Sequence, residues 1–350
     1  MELCNALRRD ALQVIRESEI DFSGFDGKKI MITGATGLLG LNLAAVFLVY
    51  GEMSQNPPEV LAVIRSREKA EKLYKGLDTS AVRWILADVT EFPQDAEKAD
   101  YVIHAASVTS SRAFVEQPAE TIRTALNGTE CMLKYAAAAR AESFVYLSSM
   151  EVYGSPQTDE KIREDHGTNL NTMETRTSYP ESKRMCESLC RAYAAEYGVP
   201  AKVVRLTQTF GPGVFYRDGR VFAEFMRCVK EKRDIVLHTK GETKRVYLYT
   251  ADAVSAILTV LLNGKTGEAY NASNDNTYCS ICEMAELAAS LDETGTVRVR
   301  IEEEDNESRG YAPVLHMNLD TKKLRSLGWR ARTDLRNMFV RLSETMDPEA

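Results

Sequence analysis

Short apolar runs, several of them β-branched, recur at 29–33, 60–64, 82–86, 101–104, 144–147 and 202–206. Runs of this length bounded by polar residues read as buried strands. Between most of them, over 38–50, 66–75, 118–140 and 179–197, apolar positions return every three to four residues, the period of a helix packed on one face. Strands alternating with such helices predict βαβ units and a parallel sheet covered on both faces. Ahead of the first strand, Leu3, Leu7, Ala11, Val14 and Ile15 share one side of a helix over 3–19, followed by the polar linker Asp21–Gly27. Past Gly211-Pro-Gly213 the alternation loosens: 221–232, 250–262 and 280–290 read as helices, and 268–271 as a strand. The expected organisation is a helical cap and linker over 1–27, an α/β unit over 28–210, and a smaller lobe over 211–350 with some segments returning to the sheet.

Composition narrows the partners. With 44% hydrophobic residues the 350-residue chain can bury a sizeable core, and a formal charge of −7 argues against a nucleic-acid-binding surface. No apolar run approaches the roughly 20 residues that span a bilayer, and the first residues lack a signal-peptide core, so a cytoplasmic address is expected. Seven cysteines, an odd number scattered through strands and helices, read as reduced thiols. Cys279-Ser-Ile-Cys282 stands without a second pair or histidines at ligand spacing, so no metal site is assigned. Cys186 and Cys190 read as small buried residues on a helix face.

Chemistry enters with Thr33-Gly-Ala-Thr-Gly-Leu-Leu-Gly40. Gly34, Gly37 and Gly40 follow a strand and open a helix, the context in which one glycine permits a tight turn, the next lets backbone approach a pyrophosphate, and the third allows close helix–strand packing. A doubly wound, Rossmann-type sheet carrying NAD or NADP is the expectation. About 20 residues on, where an acid commonly meets the ribose of NAD, stands Ile64-Arg-Ser-Arg67; Arg65 and Arg67 tilt the choice toward NADP without closing it. Asp88 is placed to accept from adenine, and Ala105, Ala106 and Ser107 end the fourth strand with small residues; His104 reads as packed rather than reactive. The residues assigned to the cofactor also include Thr36, Leu38, Leu39 and Val89.

Tyr179 and Lys183 lie four apart on a helix and share a face, so the ammonium is expected beside the phenol, favouring the phenolate over its ordinary value near ~10. Pro180 suits a first helical turn, and Ser178 with Glu181 has capping-box spacing.

Gly34-x-x-Gly37-x-x-Gly40, His104-Ala-Ala106, Ser148-Ser-Met-Glu-Val-Tyr-Gly154 and Tyr179-x-x-x-Lys183 occur in order, and over roughly 28–330 the chain resembles the extended short-chain dehydrogenase/reductases that modify nucleotide sugars. The resemblance implies that Ser149 donates to the sugar O4, Tyr179 acts as base and Lys183 holds the nicotinamide ribose. Glu151, in Ser149-x-Glu-Val-Tyr-Gly, looks like the acid of UDP-glucuronate decarboxylases and 4,6-dehydratases. Met150 stands where the dehydratases carry the Asp that protonates the leaving hydroxyl, and a thioether has no proton to give. Substrate contacts are implied at Ser148, Arg176, Gln208, Arg220, Arg245 and Arg309, and dimerisation through the helices at 118–140 and 179–197.

Gln208 and Gly213 depart from the decarboxylase pattern, which usually has Asn and Arg there. The expected activity is oxidation of a nucleotide sugar at C4 followed by decarboxylation of a UDP-glucuronate-like acid. Alternatives are a 4-epimerase, a 4-keto-sugar reductase or 4,6-dehydratase, and, more remotely, a non-catalytic cofactor-sensing scaffold.

Overall fold

The computed structural model describes residues 1–303 and 314–347. Strands β1 (Lys29–Thr33), β2 (Glu59–Ile64), β3 (Val82–Leu86), β4 (Tyr101–His104), β5 (Ser143–Ser149) and β6 (Ala201–Leu206) coincide with the apolar runs within a residue or two. Seven more follow: β7 (Gln208–Phe210), β8 (Ile235–Leu237), β9 (Lys244–Tyr249), β10 (Ala269–Ala272), β11 (Asn274–Ser280), β12 (Val299–Ile301) and β13 (His316–Met317).

The main sheet has seven parallel strands in the order β10-β6-β5-β4-β1-β2-β3. Its central strands are buried along nearly their whole length, as a sheet covered by helices on both faces requires. Chain order reverses between β1 and β4, and the crevice outside the carboxyl ends of those strands is where such sheets bind ligands. The N-terminal helix, Leu3–Glu17, buries Ala6, Leu7, Ala11 and Val14 against the helices Leu38–Gly51 and Thr250–Asn263. It thereby adds an outer layer, which explains why Leu41–Val49 of the underlying helix are buried on every side.

The remaining strands form two small sheets. β9 lies between β11 and β13 and also pairs with β7, and β8 pairs with β12. β7 begins two residues after β6 ends, so a single kink at Thr207 carries the chain from the large sheet to the small one. Among the described residues no helix is long and apolar enough to cross a membrane.

Candidate active site

The glycine turn closes because two positions, Gly34 and Gly40, tolerate no side chain. Gly34 has φ +66°, and a Cβ there would lie 2.9 Å from the backbone of Ala106. A Cβ on Gly40 would lie 2.2 Å from the Gly34 carbonyl oxygen, whereas Gly37 is exposed at the N-cap of the helix Leu38–Gly51. Thr36, Leu38 and Leu39 are partly open beside it. The first N–H groups of a helix thus face an open cradle, an arrangement that fits a pyrophosphate.

Thr33 ties this turn to β4. Its hydroxyl accepts from the amides of Ala105 and Ala106, each at 3.1 Å, and its own hydrogen is left for His104 Nδ1 at 2.8 Å. Burial draws His104 down to about 3, so the ring is neutral and structural, as its strand-end position led us to expect. Ser107 is half-buried and donates to the Val108 carbonyl.

At the adenosine end the two arginines differ. Arg67 pairs with Glu71 at 2.8 Å and lies over the Trp84 ring at 5.2 Å, while Ser66 between them caps the helix Arg67–Leu73. Arg65 is exposed, and its charge acts on Asp88. Asp88 accepts from the Thr90 amide and hydroxyl, which with Arg65 hold its carboxyl below the ordinary range. The Val89 side chain packs on Gly128, which leaves its backbone to meet a ligand.

Five elements bring the second cluster together: the end of β5, the following turn Met150–Tyr153, the short helix Ser111–Glu116, the turn Thr175–Thr177 and the helix Ser178–Glu196. The Ser149 hydroxyl accepts from the Glu151 amide at 3.2 Å and acts on the Tyr179 phenol, drawing it downward. Tyr179 stacks on Phe114 with ring centroids 4.2 Å apart and planes at 10°. The Arg176 guanidinium lies 4.9 Å from the same Phe114 centroid and pairs with Glu151 at 2.9 Å. Sequence reasoning missed Phe114. No motif marks it, although an aromatic shortly after Ser107 in a cofactor-facing loop was a usable signal.

Two expectations about the helix are overturned. Lys183 lies beside the Tyr179 ring, 5.7 Å from its centroid, but its ammonium donates to the Leu147 carbonyl at 2.8 Å and sits nearer Tyr146, at 4.7 Å, so the phenolate is not favoured. Burial and the Glu151 carboxylate therefore push Tyr179 above its ordinary value, against the pull of Ser149 and Arg176. Burial likewise lowers Lys183 to about 8. The capping box is also absent. Thr177 is the N-cap, and the Ser178 hydroxyl donates to the Phe114 carbonyl at 2.8 Å, pinning the aromatic to the helix.

Ser148 does not join this cluster. Adjacent strand residues face opposite sides, and the Ser148 hydroxyl donates to buried Glu187 at 2.6 Å. Met150 is buried as well, with Val152, Tyr153, Ile162, Val246, Leu315, Met317 and Leu319, and its sulfur lies 3.2 Å from the Thr207 hydroxyl, whose hydrogen goes to the Val246 carbonyl.

Gln208, Arg220 and Arg245 line one cavity of about 1070 Å³, which reaches Ser111 at the start of the Phe114 helix. Arg220 pairs with Asp218 at 2.6 Å. The buried atoms Gln208 Oε1 and Arg245 Nε have no hydrogen-bond partner among the described residues. Unpaired buried polar atoms facing a cavity suit a polar ligand. His238 and Arg233 also line it, together with Glu224, Glu242 and Glu303. Arg309 lies outside the described residues.

A fold of this order with these two clusters defines a dinucleotide-dependent enzyme class. A sequence model of the NAD dependent epimerase/dehydratase family matches residues 30–273, and the chain belongs to that family. It is 30% identical to UDP-glucuronic acid decarboxylase 1 of Xenopus tropicalis over 76% of this chain, and spans 61% of that relative's length. It is 26% identical to UDP-glucuronic acid decarboxylase 6 of Arabidopsis thaliana, covering 90% of this chain and 88% of the other. The dTDP-glucose 4,6-dehydratase DesIV of Streptomyces venezuelae, solved with NAD bound, has the same fold: TM-score 0.75 and 21% identity over 90% of this chain and 96% of that one.

Proposed function

We propose that the protein oxidises the C4 hydroxyl of a nucleotide-linked uronic acid and decarboxylates the 4-keto intermediate, releasing a nucleotide-linked pentose. The observation that carries this reading is the pairing of Glu151 with Arg176 on the ring that stacks against Tyr179, while Met150 is packed in an apolar cluster. An acid and a cation stand beside the tyrosine, and the position from which a dehydratase would protonate a leaving hydroxyl holds a thioether turned inward.

Gly34, Gly37 and Gly40 with the helix behind them would hold the pyrophosphate, and Lys183 the nicotinamide ribose. The bound dinucleotide supplies a hydride acceptor, and in its oxidised form a positive charge, at the sugar C4. Tyr179, as phenolate, takes the C4 hydroxyl proton, and Ser149 fixes that oxygen between its own hydroxyl and the phenol. Arg176 steadies the phenolate. With C4 a ketone, the bond from C5 to the carboxylate would break and CO2 leave as its electrons flow to O4; C5 would then take a proton as the C4 carbonyl re-forms, and return of the hydride to C4, with the proton from Tyr179 going to O4, would give the pentose. Glu151 and Arg176 line the C5 side, where the first of these protons must be delivered. Arg245, Arg220 and Gln208 hold the diphosphate and base in the adjoining cavity.

For the dinucleotide we infer NAD. Arg67 is engaged by Glu71 and Trp84, and the Asp88 carboxylate near Arg65 opposes a 2′-phosphate. Cytoplasmic residence and a homodimer are part of the same reading. Ile122 and Met185, exposed on the two long helices, are the apolar surface a partner would cover; a monomer by sedimentation would remove the dimer.

The test is proton NMR of the protein with UDP-glucuronate, UDP-glucose and UDP-N-acetylglucosamine, supplied with NAD or NADP separately. A pentose anomeric signal from UDP-glucuronate is expected, with NAD. A C4 epimer without pentose would replace decarboxylation by epimerisation and reduce Glu151 to a binding group.

A further inference from the structure

Glu187 lies one helical turn beyond Lys183 and is not used by the chemistry above. Its carboxylate accepts from Ser148 at 2.6 Å and from Arg205 at 2.6, 3.0 and 3.2 Å. Arg205, on β6, also donates to the Tyr153 hydroxyl and the Glu164 carbonyl, both at 2.8 Å. Tyr153 in turn donates to Asn271 on β10 at 2.6 Å. The side chains of Glu187 and Arg205 are only 13% and 14% exposed.

The elements that carry Ser149, Glu151, Tyr179 and Lys183 each also carry a member of this network, while those of Phe114 and Arg176 do not. Ser148 is the neighbour of Ser149. Tyr153 closes the turn that holds Glu151, and Glu187 shares a helix with Tyr179 and Lys183. A buried ion pair is weak evidence for stability, because desolvating two charges offsets their attraction. What a guanidinium fork on a carboxylate does fix is geometry.

We propose that the Glu187–Arg205 pair is a positioning device for the reaction argued above, holding Ser149, Glu151 and Lys183 in one register with a fixed negative charge one turn from the Lys183 ammonium. The inference rests on that reading of the site. Burial draws Lys183 down, and Cys186, Glu187 and Cys190 on the same helix push back. From the other packed elements it faces Tyr146 on β5 and His104 on β4, both uncharged at neutral pH.

The test follows the Lys183 side-chain resonance against pH in carbon-13 lysine-labelled protein, alongside turnover of UDP-glucuronate. In Glu187→Gln the Lys183 midpoint should fall by about 0.5 pH unit or more. Over the same series kcat should fall about tenfold with KM within about twofold, since a misplaced group acts on the chemical step. If that variant does not fold, Glu187→Gln combined with Arg205→Gln leaves no unpaired buried charge and should give the same two changes. An unmoved midpoint with wild-type kcat in a folded variant would overturn the proposal while leaving the reaction standing. A shifted midpoint in a protein that turns over no nucleotide sugar would overturn the reaction, and with it the role given to the pair.

Discussion

Two lysines are buried against the same strand, one at each end. Lys183 donates to the Leu147 carbonyl near the end of β5; Lys202 donates to Ser143 at its start, at 2.7 Å, and to the Leu261 carbonyl at 3.0 Å. Neither has a carboxylate within salt-bridge distance among the described residues, and burial draws both to about 8. By proton affinity alone they are indistinguishable. What separates them is their surroundings: Lys183 faces Tyr179 and the open ends of the strands, whereas Lys202 faces a serine whose hydrogen is already given to Leu261. A perturbed group marks a site only where something reactive lies next to it.

The strongest way to break the contrast is at the upper lysine. Lys183→Met and Tyr179→Phe should each lower C4 oxidation by roughly 10³-fold while the circular dichroism and cooperative melt persist; near-normal rates in either would dissolve the distinction. Glu151→Gln should retain C4 oxidation and lose roughly 10² in pentose formation, read as reduced cofactor accumulating on the enzyme. Equal loss of both steps would move Glu151 into the first one. Arg245→Met should raise KM for the nucleotide sugar about tenfold with little change in kcat, and a fall confined to kcat would place that arginine at the reacting carbons instead.

The smallest effect sharpens the comparison from below. Lys202→Met should leave turnover intact and stabilise the fold at pH 7 by about 1 kcal/mol, because an ammonium is no longer taken out of water. The sign follows from linkage. Below pH 8 Lys202 is charged in both folded and unfolded chains and its burial cost is present in full. As pH rises from 8 toward the unfolded value near ~10.4, the folded protein gives up the proton first, the cost is relieved, and the advantage of the variant should fade. Denaturant melts of both proteins at pH 7 and pH 10 decide it; an advantage that grows with pH would contradict the assignment.

Much of the upper region was legible in the chain. The glycine turn, the strand runs and the four-residue spacing of Tyr179 and Lys183 are local patterns, and local patterns survive in one dimension. Alternation along β5 already implied that Ser148 and Ser149 cannot both face the crevice, a signal the motif reading passed over. The direction of the Lys183 ammonium was not legible, because it depends on a carbonyl 36 residues away. Phe114, Arg176 and Glu151 meet from three separate segments, and Arg205 reaches Glu187 across two elements. Past residue 211, helices such as Val221–Lys230 and Thr250–Asn263 showed in their periodicity. β8 and β12, three residues each, carry too little pattern to stand out.

Position 150 bears on how this scaffold could change trade. Replacing Met150 by Asp would not simply restore a proton donor. The new carboxyl would enter an apolar cluster with the Thr207 hydroxyl, already committed to Val246, as its nearest partner. An acid there would have to stay neutral or drag the turn outward, and either route weakens the fold before any new chemistry can be selected. A lineage starting from this chain would reach water elimination only after Val246, Leu315 and Met317 had first loosened their hold on residue 150.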